Sequence, residues 1–133
     1  MTPIDRRTLG RTLTRLANAS VEEVLALADS SDDIPVEPAQ RIGMTGPPGA
    51  GKSSLGGRLA VLRARRRRIG VLAIDPDGLA QSIPELLHAM DRAGFEEVSL
   101  ETVGVGQAEH AARHQVDTMV LVLIPGAGAS CRR

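Results

Sequence analysis

The passage from Arg41 to Leu62 restricts the fold of this chain more than any other. An apolar run, Ile42-Gly43-Met44-Thr45, leads directly into Gly46-Pro47-Pro48-Gly49-Ala50-Gly51-Lys52-Ser53-Ser54, and Leu55, Leu59 and Leu62 then recur at helical spacing. Gly46 to Ser53 has the form G-x-x-x-x-G-K-S. A strand before it and a helix after it are the context in which that form cradles a polyphosphate. Each residue type has a physical task. Glycine permits the backbone to turn successive N–H groups inward around a phosphate. A helix starting near Gly51 adds the partial positive charge of its N-terminus. Lys52 can reach β- and γ-phosphates, and the Ser53 hydroxyl is a hard oxygen suited to Mg²⁺. Gly46, Pro47, Pro48, Gly49, Ala50, Gly51, Lys52, Ser53 and Ser54 are therefore the candidate phosphate-binding residues. The alternative is a glycine-rich turn that matches by chance, and the flanking elements argue against it.

The surrounding pattern repeats the strand–helix alternation. Ile69 to Ile74 is an apolar, β-branched run ending in Asp75, Val98-Ser99-Leu100 leads into Glu101, and Met119 to Ile124 is a fourth run. Ile83 to Met90 reads as amphipathic helix closed by Gly94. Uniformly apolar strands between helices indicate a parallel sheet covered on both faces. The expected fold is α/β, of the P-loop NTPase type: a mostly parallel sheet of about four strands flanked by helices, with further helices at the N-terminus. Arg6 to Asp29 has helical periodicity interrupted near Asn18-Ala19-Ser20. Ser20 with Glu23 has the form of a capping box that starts a second helix. The polar, proline-broken stretch from Ser30 to Pro38 reads as a linker. The division expected is thus an N-terminal helical segment and linker over 1–40 and a P-loop domain over 41–133. Phe95 is the sole aromatic residue, so the core must be built from Leu, Val, Ile and Ala.

Asp75 and Glu101 close two of the strands, at the carboxyl edge where open α/β sheets bind ligands. A carboxylate there can hold Mg²⁺, and Gly104, three residues beyond Glu101, can offer its N–H to a γ-phosphate. For each acid the plainer alternative is a helix cap or a solvated strand end. Other function classes find little support. Sixteen basic residues balance sixteen acidic ones, which gives no global pull toward nucleic acid or anionic membrane. Arg63 and Arg65 to Arg68 suit a helix C-terminus, and beyond Phe95 there are no aromatic residues for base stacking. His88, His110 and His114 lack metal-ligand spacing, and Cys131 stands alone. Met1 to Leu16 has no continuous apolar stretch of the kind a secretory leader needs. The expectation is a soluble, cytoplasmic domain with no nucleic-acid or membrane partner.

Four blocks carry a closer resemblance: Arg41 to Ser54, Val71-Leu72-Ala73-Ile74-Asp75-Pro76, Glu101-Thr102-Val103-Gly104-Val105-Gly106-Gln107, and Val116 to Gly128. In this order they resemble the methylmalonyl-CoA mutase-associated GTPases, the MeaB/ArgK family once described as lysine/arginine/ornithine transport ATPases. The E-T-V-G-V-G-Q block is far more specific than the phosphate loop. The resemblance implies binding of GTP and GDP and hydrolysis coupled to loading or protecting the cobalamin of methylmalonyl-CoA mutase or a related acyl-CoA mutase. It places Lys52 and Glu101 in catalysis, puts Ser53, Asp75 and Glu101 around Mg²⁺, and makes Val103 to Gln107, with Gly104 and Gln107 at the phosphate, a γ-phosphate-sensing switch.

The departures are equally definite. After Asp75-Pro76-Asp77-Gly78 the family has a longer segment that includes its first switch; here the chain passes almost directly to the third strand. The guanine-reading N-K-x-D motif and the family's later strands and dimerisation region are absent from these 133 residues. The expectation is an internally shortened, truncated relative that hydrolyses nucleotide weakly and holds GTP and ATP within about tenfold of each other, or 1.4 kcal/mol. The alternatives are a small P-loop kinase, which would need an arginine-bearing lid, or a non-catalytic nucleotide-binding fragment. The oligomeric state is left open.

Overall fold

The computed structural model describes residues 5–20, 22–23, 26, 36–74, 82–102 and 107–126. Four strands form one parallel sheet: β1 (Gln40–Thr45), β2 (Ile69–Ile74), β3 (Glu97–Thr102) and β4 (Thr118–Leu121), in the order β2-β3-β1-β4. The helices are α1 (Arg6–Ala17), α2 (Lys52–Arg63), α3 (Ile83–Arg92) and α4 (Gln107–Arg113). The α/β class and four parallel strands are as the alternation of apolar runs predicts. The capping box also forms: Ser20 N–H donates to Glu23 Oε2 at 2.8 Å, Glu23 N–H donates to Ser20 Oγ at 3.3 Å, and Glu22, Glu23 and Ala26 are helical. Gly94, at φ +76°, follows the end of α3 as expected. Residues 27–35, which hold most of the expected linker, lie outside the described residues.

Side chains alternate across a strand, so register assigns each one to a face. One face carries Gly70, Leu72 and Ile74 of β2 with Val98 and Leu100 of β3, packed beneath α3 and α4. Ile74, Val98, Leu100, Ile83, Leu87, Met90 and Ala112 are buried there, and Leu9 of α1 joins the same cluster. Phe95 fills the edge of this core and lies under the Arg68 guanidinium, whose Cζ is 5.0 Å from the ring centroid.

The opposite face is thinner, and here the pattern of apolar residues misleads. Its cover is the single helix α2, which meets β1, β2 and β3. The residues that α2 buries are Lys52 and Gly56, because a Cβ at Gly56 would already stand 3.3 Å from Met44 Sδ. The expected apolar stripe does not face the sheet: Leu55 is 38% exposed, Leu59 36% and Leu62 59%. Val71 on β2 is half exposed as well. Helices thus flank both faces, as uniformly apolar strands predict, but the cover of this one is the thinner. Glu97 lies buried on this thinner face, and Arg63 caps it with Nε and Nη2 donating to its carboxylate at 2.5–2.7 Å. That pairing raises the Arg63 pKa above its ordinary value.

The strand order fixes where a ligand can sit. From β1 the chain crosses past β3 to reach β2, whereas from β3 it crosses past β1 to reach β4. The two connections leave in opposite directions, so β1 and β3 part at a topological switch point. In open parallel sheets that is where the crevice at the carboxyl ends of the strands binds ligands.

Candidate functional site

The loop after β1 opens into that crevice. Gly46, Gly49 and Gly51 have φ of +145°, +77° and +88°, and Gly51 is the N-cap of α2 with no side-chain hydrogen bond to the helix end. The first N–H groups of α2 thus lack a side-chain acceptor, the condition under which a helix N-terminus binds an anion. Gly46 is held from the other side. Val122 N–H donates to Thr45 O at 2.8 Å, extending the β1–β4 pairing to the start of the loop. A Cβ on Gly46 would come within 2.1 Å of Val122 O.

Lys52 is only 7% exposed, and its ammonium donates to Gly46 O at 2.8 Å and Pro47 O at 3.0 Å. The cation that the sequence predicts for phosphate oxygens is here satisfied by carbonyls of its own loop. The next residue, Ser53, donates its hydroxyl to Glu101 Oε1 across the switch point. Glu101 pairs in register with Met44 of β1, and Thr102 Oγ1 donates to Met44 O at 3.3 Å, tying together the ends of the two strands. Glu101 lies within β3 rather than after it, one residue before the strand ends.

The candidate residues from the sequence fall into two groups. Gly46, Pro47, Pro48, Gly49, Ala50, Gly51, Lys52, Ser53 and Ser54 form one continuous loop and first turn, with Glu101 against Ser53. Asp75 and Gly104 lie outside the described residues, and Gln107 is placed as the first residue of α4. Sequence reasoning missed two anchors. Arg63 reads as a helix-terminal cation, but it neutralises buried Glu97 on β3. Asp91, unremarked in the helical pattern of α3, accepts from Ala39 N–H at 2.9 Å and from Arg41 Nη2 at 2.8 Å, fastening the start of β1. No residue spacing announces either pair, because each joins elements far apart in the chain. Among the described residues no three His, Cys, Asp or Glu side chains gather as a metal cluster, and no helix is long and apolar enough to cross a membrane.

The sequence profile described as "Methylmalonyl Co-A mutase-associated GTPase MeaB" matches residues 26–78 and 77–132. A relative from Caulobacter vibrioides is 32% identical across 93% of this chain and 50% of its own length. GTPase ArgK of Escherichia coli is 29% identical over 66% of this chain and 38% of its own. The crystal structure of a LAO/AO transport system kinase superposes with a TM-score of 0.60 at 27% identity, over 92% of this chain and 52% of that one. The chain thus spans about half the length, or less, of the proteins it matches. The two profile segments meet at Asp77–Gly78. The Caulobacter alignment has 163 positions, whereas 93% of 133 residues is about 124, so about 39 positions have no residue of this chain opposite them. The break between the two profile segments lies beside the place, after Asp75, where the sequence predicts an internal shortening. With both profile segments in chain order and the phosphate loop set at the switch point of a parallel sheet, the chain belongs to the methylmalonyl-CoA mutase-associated GTPase (MeaB) family.

Proposed function

We propose that this chain binds guanine nucleotide with Mg²⁺ through residues 46–54 and hydrolyses it slowly, in the service of a cobalamin-dependent acyl-CoA mutase. The observation that carries the reading is the contact of Ser53 with Glu101 at the switch point, directly beside a glycine loop whose helix end is uncapped. Three kinds of group then face one crevice: backbone donors, an ammonium and a pair of hard oxygens.

The donor set suits Mg²⁺. A hydroxyl and a carboxylate already in contact can share one ion, and Mg²⁺ is commonly held by one or two protein oxygens, with phosphate and water completing its octahedron. Ser53 and Glu101 would hold it, and when bound it neutralises charge on the β- and γ-phosphates. The work of the chain itself is positional. Entry of a polyphosphate lets Lys52 exchange the carbonyls of Gly46 and Pro47 for phosphate oxygens, and the N–H groups of residues 49–53 turn toward the same charge. These contacts stabilise a transferring phosphoryl group only where water is excluded. Residues 75–96 are all that join β2 to β3, and the shortening expected after Asp75 would fall in that stretch. A cover over the phosphates is reduced accordingly, which is the reason to expect slow turnover. The mutase partner follows from the family description alone.

Calorimetric titration of GTP, GDP and ATP with Mg²⁺ into folded wild type and Lys52→Ala tests the reading. Hydrogen bonds from charged groups contribute about 1.5–3 kcal/mol, so the variant is expected to bind roughly 10- to 100-fold more weakly. Equal affinities would refute the site. Phosphate release measured with and without an acyl-CoA mutase decides the rest: brisk turnover abolished by Glu101→Ala would overturn slow hydrolysis.

A further inference from the structure

His110 and His114 have no cysteine or acid spaced with them in the sequence as a set of metal ligands, but the fold brings the two rings together. His110 lies in α4, and His114 lies in the turn that extends it, where Gln115 N–H donates to Ala112 O at 2.9 Å. Residues four apart stand one above the other on a helix. Ala112, on the other side of α4, is fully buried against the sheet, while both imidazoles are exposed. Their ring centres are 5.1 Å apart and their planes meet at 81°.

Two arrangements can produce that contact. Edge-to-face packing needs only the rings themselves. A chelate fixes the spacing: with metal–nitrogen bonds of about 2.0–2.1 Å and ring centres about 1.1 Å beyond, two imidazoles on a tetrahedral ion stand about 5 Å apart. Two histidines at this separation on one helical face also hold zinc in H-E-x-x-H helices. We infer that His110 and His114 form a two-imidazole site for a divalent transition ion of the Zn²⁺, Ni²⁺ and Cu²⁺ class, with water completing its shell. Imidazole suits those ions, whereas Mg²⁺ takes oxygen ligands. His114 lines an open cleft with Gln115 and Asp117, so a carboxylate stands nearby to favour a cation. The site is separate from the phosphate loop. Asp117 N–H donates to Arg41 O at 2.9 Å, at the amino end of the sheet, and from Arg41 to Gly46 the strand rises about 16 Å. The ion would clip the last turn of a seven-residue helix, a length that is marginal without outside support.

The test is calorimetric titration of Zn²⁺ into the full chain with Mg²⁺ in excess, so that oxygen sites are already filled. Wild type is expected to bind about one Zn²⁺ per chain and to unfold at a higher temperature with it, because an ion held by the folded pair stabilises the fold. His110→Ala and His114→Ala should each weaken binding at least tenfold. The double variant should lose little more, since one imidazole cannot chelate. His88→Ala and Cys131→Ser should bind as wild type does. Moving the second histidine by one place, His114→Gln with Gln115→His, keeps the imidazole count and should lose the site. NMR of the wild type covers any variant that fails to fold: Zn²⁺ should shift the His110 and His114 ring signals together and leave His88 unmoved. Folded wild type that takes up no Zn²⁺, uptake that survives either single variant of the pair, or uptake lost in Cys131→Ser would each overturn the inference and leave the ring contact as packing. None of these outcomes bears on the nucleotide reading.

Discussion

Replacing Gly46 with alanine probes the join between the phosphate loop and the edge of the sheet. At φ +145° an L-residue is strained, at a cost of about 1–3 kcal/mol. The added Cβ would also lie 2.1 Å from Val122 O, where ordinary contact begins near 3.4 Å. The obstacle is backbone and cannot rotate aside. Either the loop or the end of β4 must move by about an ångström, which loosens the Val122 N–H bond to Thr45 O and forfeits about 0.5–1.5 kcal/mol. A total near 2–4 kcal/mol is expected, a large part of a typical 5–15 kcal/mol stability. Two other glycines calibrate it. Gly51→Ala meets open space but sits at φ +88°, so it should cost about 1–2 kcal/mol. Gly57→Ala lies within α2, exposed and unobstructed, and should stabilise by about 0.5–1 kcal/mol. Urea unfolding at constant m-value gives all three. A Gly46→Ala variant no less stable than Gly51→Ala would refute the Val122 contact. A destabilising Gly57→Ala would refute the description of α2 as uncovered at that point.

Two further outcomes follow from the anchors. Asp91→Ala strips the acceptor from Ala39 N–H and from the partly buried Arg41 guanidinium and should cost about 3–5 kcal/mol; combining Arg41→Met with Asp91→Leu should recover the share due to the unpaired guanidinium but not that of the Ala39 N–H, as urea unfolding will show. The Glu23 carboxyl is held below the usual range, chiefly by the Ser20 backbone N–H and then by the Ser20 hydroxyl. A lowered folded pKa gives a small stabilisation of the capped turn that is present above the unfolded value and lost as pH falls through the folded one. NMR titration should find the Glu23 pKa moving up in Ser20→Ala, and no movement would remove the capping box.

Local chemistry made much of this legible in advance. The phosphate loop, the Ser20–Glu23 box and the β-branched runs each depend on residues close in sequence, so their patterns survive without three-dimensional information. What failed to show depends on distant partners. Leu55, Leu59 and Leu62 have the spacing of a buried stripe, but which face of α2 meets the sheet is decided by the close approach that Gly56 allows over Met44. Arg63 looks like a helix-end cation until β3 brings Glu97 beneath it. Lys52 has a recognisable role toward phosphate, yet nothing in the motif states that its own loop carbonyls occupy it first.

The two faces of the sheet divide the work of the molecule. The face under α3 and α4 is a hydrophobic core, and its polar exception on β3, Thr102, gives its hydroxyl to Met44 O. The face under α2 carries Lys52, Ser53, Glu97 and Glu101 in a region covered by one helix. Register keeps Glu97, Ser99 and Glu101 on that side while Val98, Leu100 and Thr102 point to the other. A polar face beneath a single helix is costly for stability, and the Arg63–Glu97 pair offsets part of that cost at the far end from the loop. At the loop end no comparable cation meets Glu101 among the described residues. Its partner is a serine hydroxyl, which neutralises nothing, so a carboxylate charge is left at the point where a metal-bearing phosphate would arrive. On the proposed reading, the asymmetry along β3, with one acid matched by Arg63 and the other held only by a serine hydroxyl, is what would turn this sheet edge into a site.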